Sequence, residues 1–169
     1  VESRVPHRIE SFKMLDQNGL AIDEKRIEGK VHLANFMFTS CASICPVMTK
    51  NINAVHTHFA DNDDVVILSF SVTPWKDSVA ALKRFEGAYD IRSDNWHFLT
   101  GNKAEIYDLA RRSYFAEEDI GFSKDSSDFL HTEHVILVDR NRRIRGIYNG
   151  TLQLEMEQAI RDIAQLLKE

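Results

Sequence analysis

Cys41 and Cys45 are the only cysteines among 169 residues, four positions apart in Thr39-Ser40-Cys41-Ala42-Ser43-Ile44-Cys45-Pro46. Two thiols this close can join as a disulfide or share one soft metal ion. As a structural staple the pair gains little, because closing so short a loop removes little chain entropy. Chemistry is therefore expected of them rather than reinforcement. Three residues separate them, where the C-x-x-C redox enzymes have two. The extra residue still permits a disulfide and leaves room for an ion between the sulfurs.

A two-cysteine site needs at least one more ligand, and the chain has seven histidines. His7 lies in the lead-in, and His32 and His97 lie inside predicted strands. His56 and His58 are two apart on a predicted helix and do not share a face. These five read as surface or satisfied core residues. His131 and His134 stand where a predicted surface segment, 114–130, enters a hairpin. Three residues apart on an extended chain, they face opposite ways, so one of them can reach the cysteines. Position alone does not choose between them.

The elements that must position these groups follow from the hydrophobic pattern. The first 30 residues form a lead-in with a tight turn at Asp16-Gln17-Asn18-Gly19. Val31 to Phe38 reads as a buried strand, and a helix follows from Pro46 to Phe59. Val65 to Ser71 is a second buried strand, then a helix over Ser78 to Tyr89. A short strand spans Trp96 to Leu99, with a helix over Lys103 to Ser113. His134 to Val138 and Ile144 to Tyr148 make a hairpin around Asp139-Arg140-Asn141-Arg142-Arg143. A helix over Leu152 to Leu167 closes the chain. Alternating strands and helices followed by a hairpin and helix predict an α/β thioredoxin-like fold. Its central mixed sheet is parallel in its first part and flanked by helices. The cysteines fall at the carboxyl end of the first strand of that sheet, where α/β folds favour ligand sites. Proline suits the first helical position, so Pro46 is expected to open the helix with Cys45 as its cap. The unpaired amides and positive dipole end of that helix favour a nearby thiolate.

Composition narrows the function classes. The chain is 43% apolar and 28% charged, as expected of one globular domain over residues 1–169. The net charge of −5 gives no basic footprint for nucleic acid. No apolar run approaches the roughly 18–20 residues that span a bilayer. The chain begins at Val1 rather than Met, which is expected of a chain from which an N-terminal piece has been removed.

At the residue level the chain resembles the Sco/SenC family, copper-binding thioredoxin-fold proteins of cytochrome c oxidase assembly. Asn35-Phe36-Met37-Phe38-Thr39-Ser40-Cys41-Ala42-Ser43-Ile44-Cys45-Pro46 is similar to its F-x-F-T-x-C-x-x-x-C-P signature. Trp96-His97-Phe98-Leu99-Thr100-Gly101 resembles its W-x-F-L-T-G segment. His131-Thr132-Glu133-His134-Val135-Ile136-Leu137-Val138-Asp139 resembles the stretch holding its ligand histidine, and Gly19 fits its N-terminal hairpin extension. Counting back from Asp139 assigns the family's ligand role to His131, with His134 as the neighbouring alternative. The chain departs from the pattern twice. Val72-Thr73-Pro74-Trp75-Lys76-Asp77-Ser78 has Thr73 where the family commonly has an aspartate, and Leu130 stands where some members carry an acid.

The resemblance implies a metallochaperone that binds copper, as Cu(I) or Cu(II), through Cys41, Cys45 and His131. Zinc suits such a ligand set too, and the resemblance ranks copper first. The implied recipient is the binuclear copper centre of cytochrome c oxidase subunit II, with other copper chaperones or thiol reductants as further partners. The competing reading is a thiol-disulfide oxidoreductase that reduces the recipient's copper-ligand cysteines. A thiol peroxidase of the same fold is a weaker reading, because no arginine falls near Cys41 in sequence. The resemblance also implies an extracytoplasmic, periplasmic-side location and a membrane anchor absent from this chain.

Overall fold

The computed structural model describes residues 7–40, 44–91, 93–115 and 133–169. Cys41, Leu130, His131 and most of the expected surface segment lie outside these residues.

The lead-in holds a hairpin of β1 (Lys13–Leu15) and β2 (Ala21–Asp23). Its turn forms because the Asp16 carboxylate accepts the amides of Asn18 and Leu20 at 2.9 and 3.0 Å. Gly19 takes φ +74° there, which a side chain would resist. The main sheet contains β3 (Val31–Met37), β4 (Val65–Ser71), β5 (Trp96–Leu99), β6 (His134–Val138) and β7 (Ile144–Asn149) in the order β5-β4-β3-β6-β7. β3, β4 and β5 are parallel, while β6 and β7 run antiparallel to their neighbours. This is the mixed sheet the element order predicts. Mostly apolar sequences suit β3 and β4 because both faces are covered, and every residue of each is buried, the polar His32, Asn35, Ser69 and Ser71 included.

Strand alternation divides the core in two. Leu33, Met37, Ile67, Val135 and Leu137 pack with Cys45, Met48 and Ile52 of α1 (Ile44–His58) and Met156 and Ile163 of α4 (Gln153–Leu167). Phe36, Leu68, Phe70, Ile136 and Val138 pack on the other face with the hairpin and with Ile106, Leu109 and Tyr114. α2 (Val79–Ala88) follows β4, its Ser78 hydroxyl accepting the Ala81 amide at 3.2 Å. Among the described residues no helix is long and apolar enough to cross a membrane.

Two local expectations are corrected. The α1 helix begins at Ile44, so Cys45 lies inside its first turn and Pro46 is its third residue. Proline is tolerated there because first-turn amides have no intrahelical acceptor. The helix expected over Lys103 to Ser113 is α-helical only through Asp108, as α3 (Lys103–Asp108), and then widens to a π turn over Leu109–Ser113. The Tyr114 amide bonds the Leu109 carbonyl at 3.0 Å. The extra residue in that turn delivers Tyr114 into the core, where its hydroxyl meets His32 Nε2 at 2.9 Å.

Candidate metal and thiol site

Cys45 is 5% exposed. It stands in the first turn of α1, packed with the apolar side chains between that helix and the sheet. One contact within the helix steadies its first turns, and one ties it to the end of the sheet. The Thr49 hydroxyl donates to the Cys45 carbonyl at 2.7 Å, and the Asn51 amide donates to the Gly150 carbonyl at 2.9 Å. The first-turn amides of a helix are unpaired within it, so this end of α1 favours negative charge.

The strand leading to the cysteines is held just as firmly. β3 continues its ladder past its end through the Val72 amide on the Met37 carbonyl at 2.8 Å. Two residues later Thr39 is tied to Asp77. The Thr39 amide reaches one carboxylate oxygen at 3.2 Å, and its hydroxyl bonds the other. The same carboxylate accepts the hydroxyls of Ser71 at 2.7 Å and Thr73 at 2.9 Å. Asp77 is 1% exposed, a burial that only such saturation with donors makes tolerable. Thr73, one of the departures from the family pattern, is therefore a donor to Asp77. In the sequence Asp77 is one acid in the segment where Thr73 departs from the family pattern. Its bond to Thr39 spans 38 residues and carries no local signal.

The β6 strand begins beside the same sheet end. The pairs His32↔Val138, Leu33↔Leu137 and Ala34↔Ile136 run antiparallel, so the start of β6 lies level with the end of β3. His134 is the first residue of β6 and is half-buried opposite Asn149. It shares a strand face with Ile136 and Val138, away from Cys45, which packs with Val135. Strand geometry thus separates the alternative ligand from Cys45. Cys41 and His131 lie outside the described residues. Among the described residues no three His, Cys, Asp or Glu side chains gather closely enough to hold a metal.

The remaining histidines have protein surroundings. His7 Nε2 lies 2.8 Å from the Ser113 carbonyl. His56 is buried against Trp96 with ring centroids 5.5 Å apart, and burial lowers its pKa. His58 packs on Phe59. His97 accepts from Arg26 Nε at Nε2, 3.1 Å away, so its proton sits on Nδ1 and faces Asp16 at 3.0 Å. Burial lowers the His97 pKa, against the opposing pull of Asp16. His32 is fully buried, and desolvation pulls its pKa down to about 3, against the raising effect of Asp139.

Known proteins resemble this chain in sequence and fold. The family model SCO1/SenC matches residues 2–168. The SCO1 protein homolog of Bacillus subtilis is 32% identical over 165 residues, covering 96% of this chain and 84% of that protein. The structure of BsSco, a member of the Sco family of cytochrome c oxidase assembly proteins with an identified disulfide switch, is 32% identical. It superposes with a TM-score of 0.80 over 98% of this chain and 96% of its own. Bradyrhizobium japonicum ScoI with copper bound is 28% identical, with a TM-score of 0.73 over 93% of this chain and 98% of its own. With a thioredoxin-like mixed sheet, a cysteine in the first turn of the helix after β3, and a family match over nearly every residue, the chain belongs to the SCO1/SenC family.

Proposed function

We propose that this protein is a copper metallochaperone. One copper ion, its cargo, is held by the thiolates of Cys41 and Cys45 and by the imidazole of His131. It is passed to the binuclear copper centre of cytochrome c oxidase subunit II. The observation that carries this reading is the seat of Cys45. Its sulfur is anchored in the first turn of α1, at the sheet end where β6 also begins, on a fold shared with a copper-bound relative. Two thiolates and one imidazole form a soft, low-coordinate set suited to Cu(I), and an added oxygen ligand suits the same set to Cu(II). Transfer proceeds by exchange, an incoming thiolate replacing one cysteine at a time so that the ion is never uncoordinated. The protein works on the extracytoplasmic side, held to the membrane by a segment outside this chain.

The test is an anaerobic Cu(I) titration of the reduced protein against a tight colorimetric chelator, with His131→Ala alongside. One copper held per chain, and weaker retention in the variant, is the expected result. No competition with the chelator overturns the chaperone reading.

A second reading rests on the disulfide switch named for BsSco. The dithiol pair would reduce a disulfide in the recipient's copper-binding cysteines, becoming oxidised in turn. Stopped-flow exchange with a peptide carrying two such cysteines tests it, and rates no faster than a free dithiol reject catalysis.

A further inference from the structure

The Asp77 carboxylate is buried within a ring of donors, and two of its bonds go to a residue outside its own loop. Ser71 and Thr73 belong to the end of β4 and the turn that follows. Thr39 belongs to the loop entering the cysteine segment. Helix capping does not explain the carboxylate, because Ser78 already caps α2. Thr39 is two residues before Cys41, and Cys45 is set in α1. Thr39, ahead of the cysteine segment, is thereby tied to Asp77, and Cys45, at its far end, is set in the helix.

We infer that Asp77 is a positioning residue for the cysteine pair, acting through Thr39 to raise the effective concentration of one thiol at the other. This rests on the reading of Cys41 and Cys45 as the reactive pair. A tether that restricts two groups to one region favours their joining without any new contact. Freeing Thr39 widens the space the Cys41 end explores and disfavours the closed pair.

The experiment needs no copper. The reduced protein is equilibrated with glutathione disulfide, and the fraction oxidised is read by alkylation and mass spectrometry. Cys41 and Cys45 form one sulfur–sulfur bond. Two electrons and two protons pass to glutathione disulfide, which leaves as two glutathione thiols. Thr39→Val and Thr73→Val make the same chemical change on either side of one carboxylate, and Thr39→Ser keeps the hydroxyl. The expected result is an oxidation constant about tenfold lower in Thr39→Val, equivalent to about 30 mV. Thr39→Ser and Thr73→Val should stay near wild type. Asp77→Asn should follow Thr39→Val. Thr39→Val and wild type oxidising alike overturns the latch while leaving the reactive pair intact. Equal shifts in both valine variants overturn it too, because the carboxylate would then act through general stability. A wild-type protein that forms no internal disulfide at any glutathione ratio overturns the reactive pair and the latch together.

Discussion

Asn51 of α1 donates its side-chain amide to the carbonyl of Gly150, 2.9 Å away and 99 residues along the chain. The bond ties the helix that carries Cys45 to the end of β7, where the Gly150 amide also meets the Glu133 carbonyl at 2.8 Å. The approach is close enough to exclude a side chain. A Cβ on Gly150 would lie 2.8 Å from both Met48 Cε and Val135 Cγ2. Met48 can turn aside, but Val135 is fixed in a central strand. Gly150→Ala should therefore destabilise the protein by about 1–3 kcal/mol, read from urea unfolding midpoints. An unchanged midpoint would mean that α1 can shift freely away from β6.

The ligand assignment separates two nearby histidines. His134 shares a face with Ile136 and Val138, on the far side of the sheet from Cys45. His134→Ala should hold Cu(I) as wild type does, whereas His131→Ala should weaken retention about tenfold or more. Cys41→Ser and Cys45→Ser should weaken it further. The reverse order for the two histidines, in the same chelator competition, would move the third ligand to His134.

Acid sensitivity should come in part from His32. Its pKa is pulled down to about 3 in the fold by burial, whereas an unfolded histidine titrates near about 6.5. Between those values the unfolded chain binds more protons. Stability therefore falls as the pH drops below about 6.5, by about 1.4 kcal/mol per pH unit, and is unaffected by this group above that pH. His56 and His97, also lowered, act in the same direction. Between pH 7.5 and 5.0 the double variant His32→Leu/Tyr114→Phe should lose about 2 kcal/mol less than wild type. Equal losses in urea unfolding would rule His32 out as a source.

Gln17 closes the exposed side of β5. Its side-chain oxygen accepts the Phe98 amide at 2.9 Å. Its nitrogen donates to the Trp96 carbonyl at 2.9 Å and to Glu86 at 2.5 Å. Leu15 and Thr100 exchange backbone bonds beside it. The hairpin thus pairs a sheet edge that would otherwise invite another strand. Gln17→Ala leaves buried groups unpaired and should cost about 2 kcal/mol or more, measured by thermal unfolding. Light scattering at elevated temperature should rise with it. A variant as stable as wild type would show that water replaces the amide at no cost.

The sequence by itself determined where the strands of the main sheet lie. β4, β5 and β6 fall where their mostly apolar runs begin and end, because strands covered on both faces favour apolar residues. The Asp16–Gly19 turn was legible for a local reason, since its side chain and glycine bond within five residues. The family resemblance carried by the cysteine segment was legible because it is contiguous. The tertiary structure decided whatever depends on residues far apart in sequence. Helix periodicity did not reveal the π turn, which exists to bring Tyr114 to His32 across 82 residues. Pro46 placed the helix start late, because proline is equally at home anywhere in a first turn. The face occupied by His134 required the register of β6 against β3. Asp77 stood in the sequence as one aspartate among many acids, and its role emerged only when folding set Thr39, Ser71 and Thr73 around it, since a buried carboxylate persists only where the chain supplies its donors.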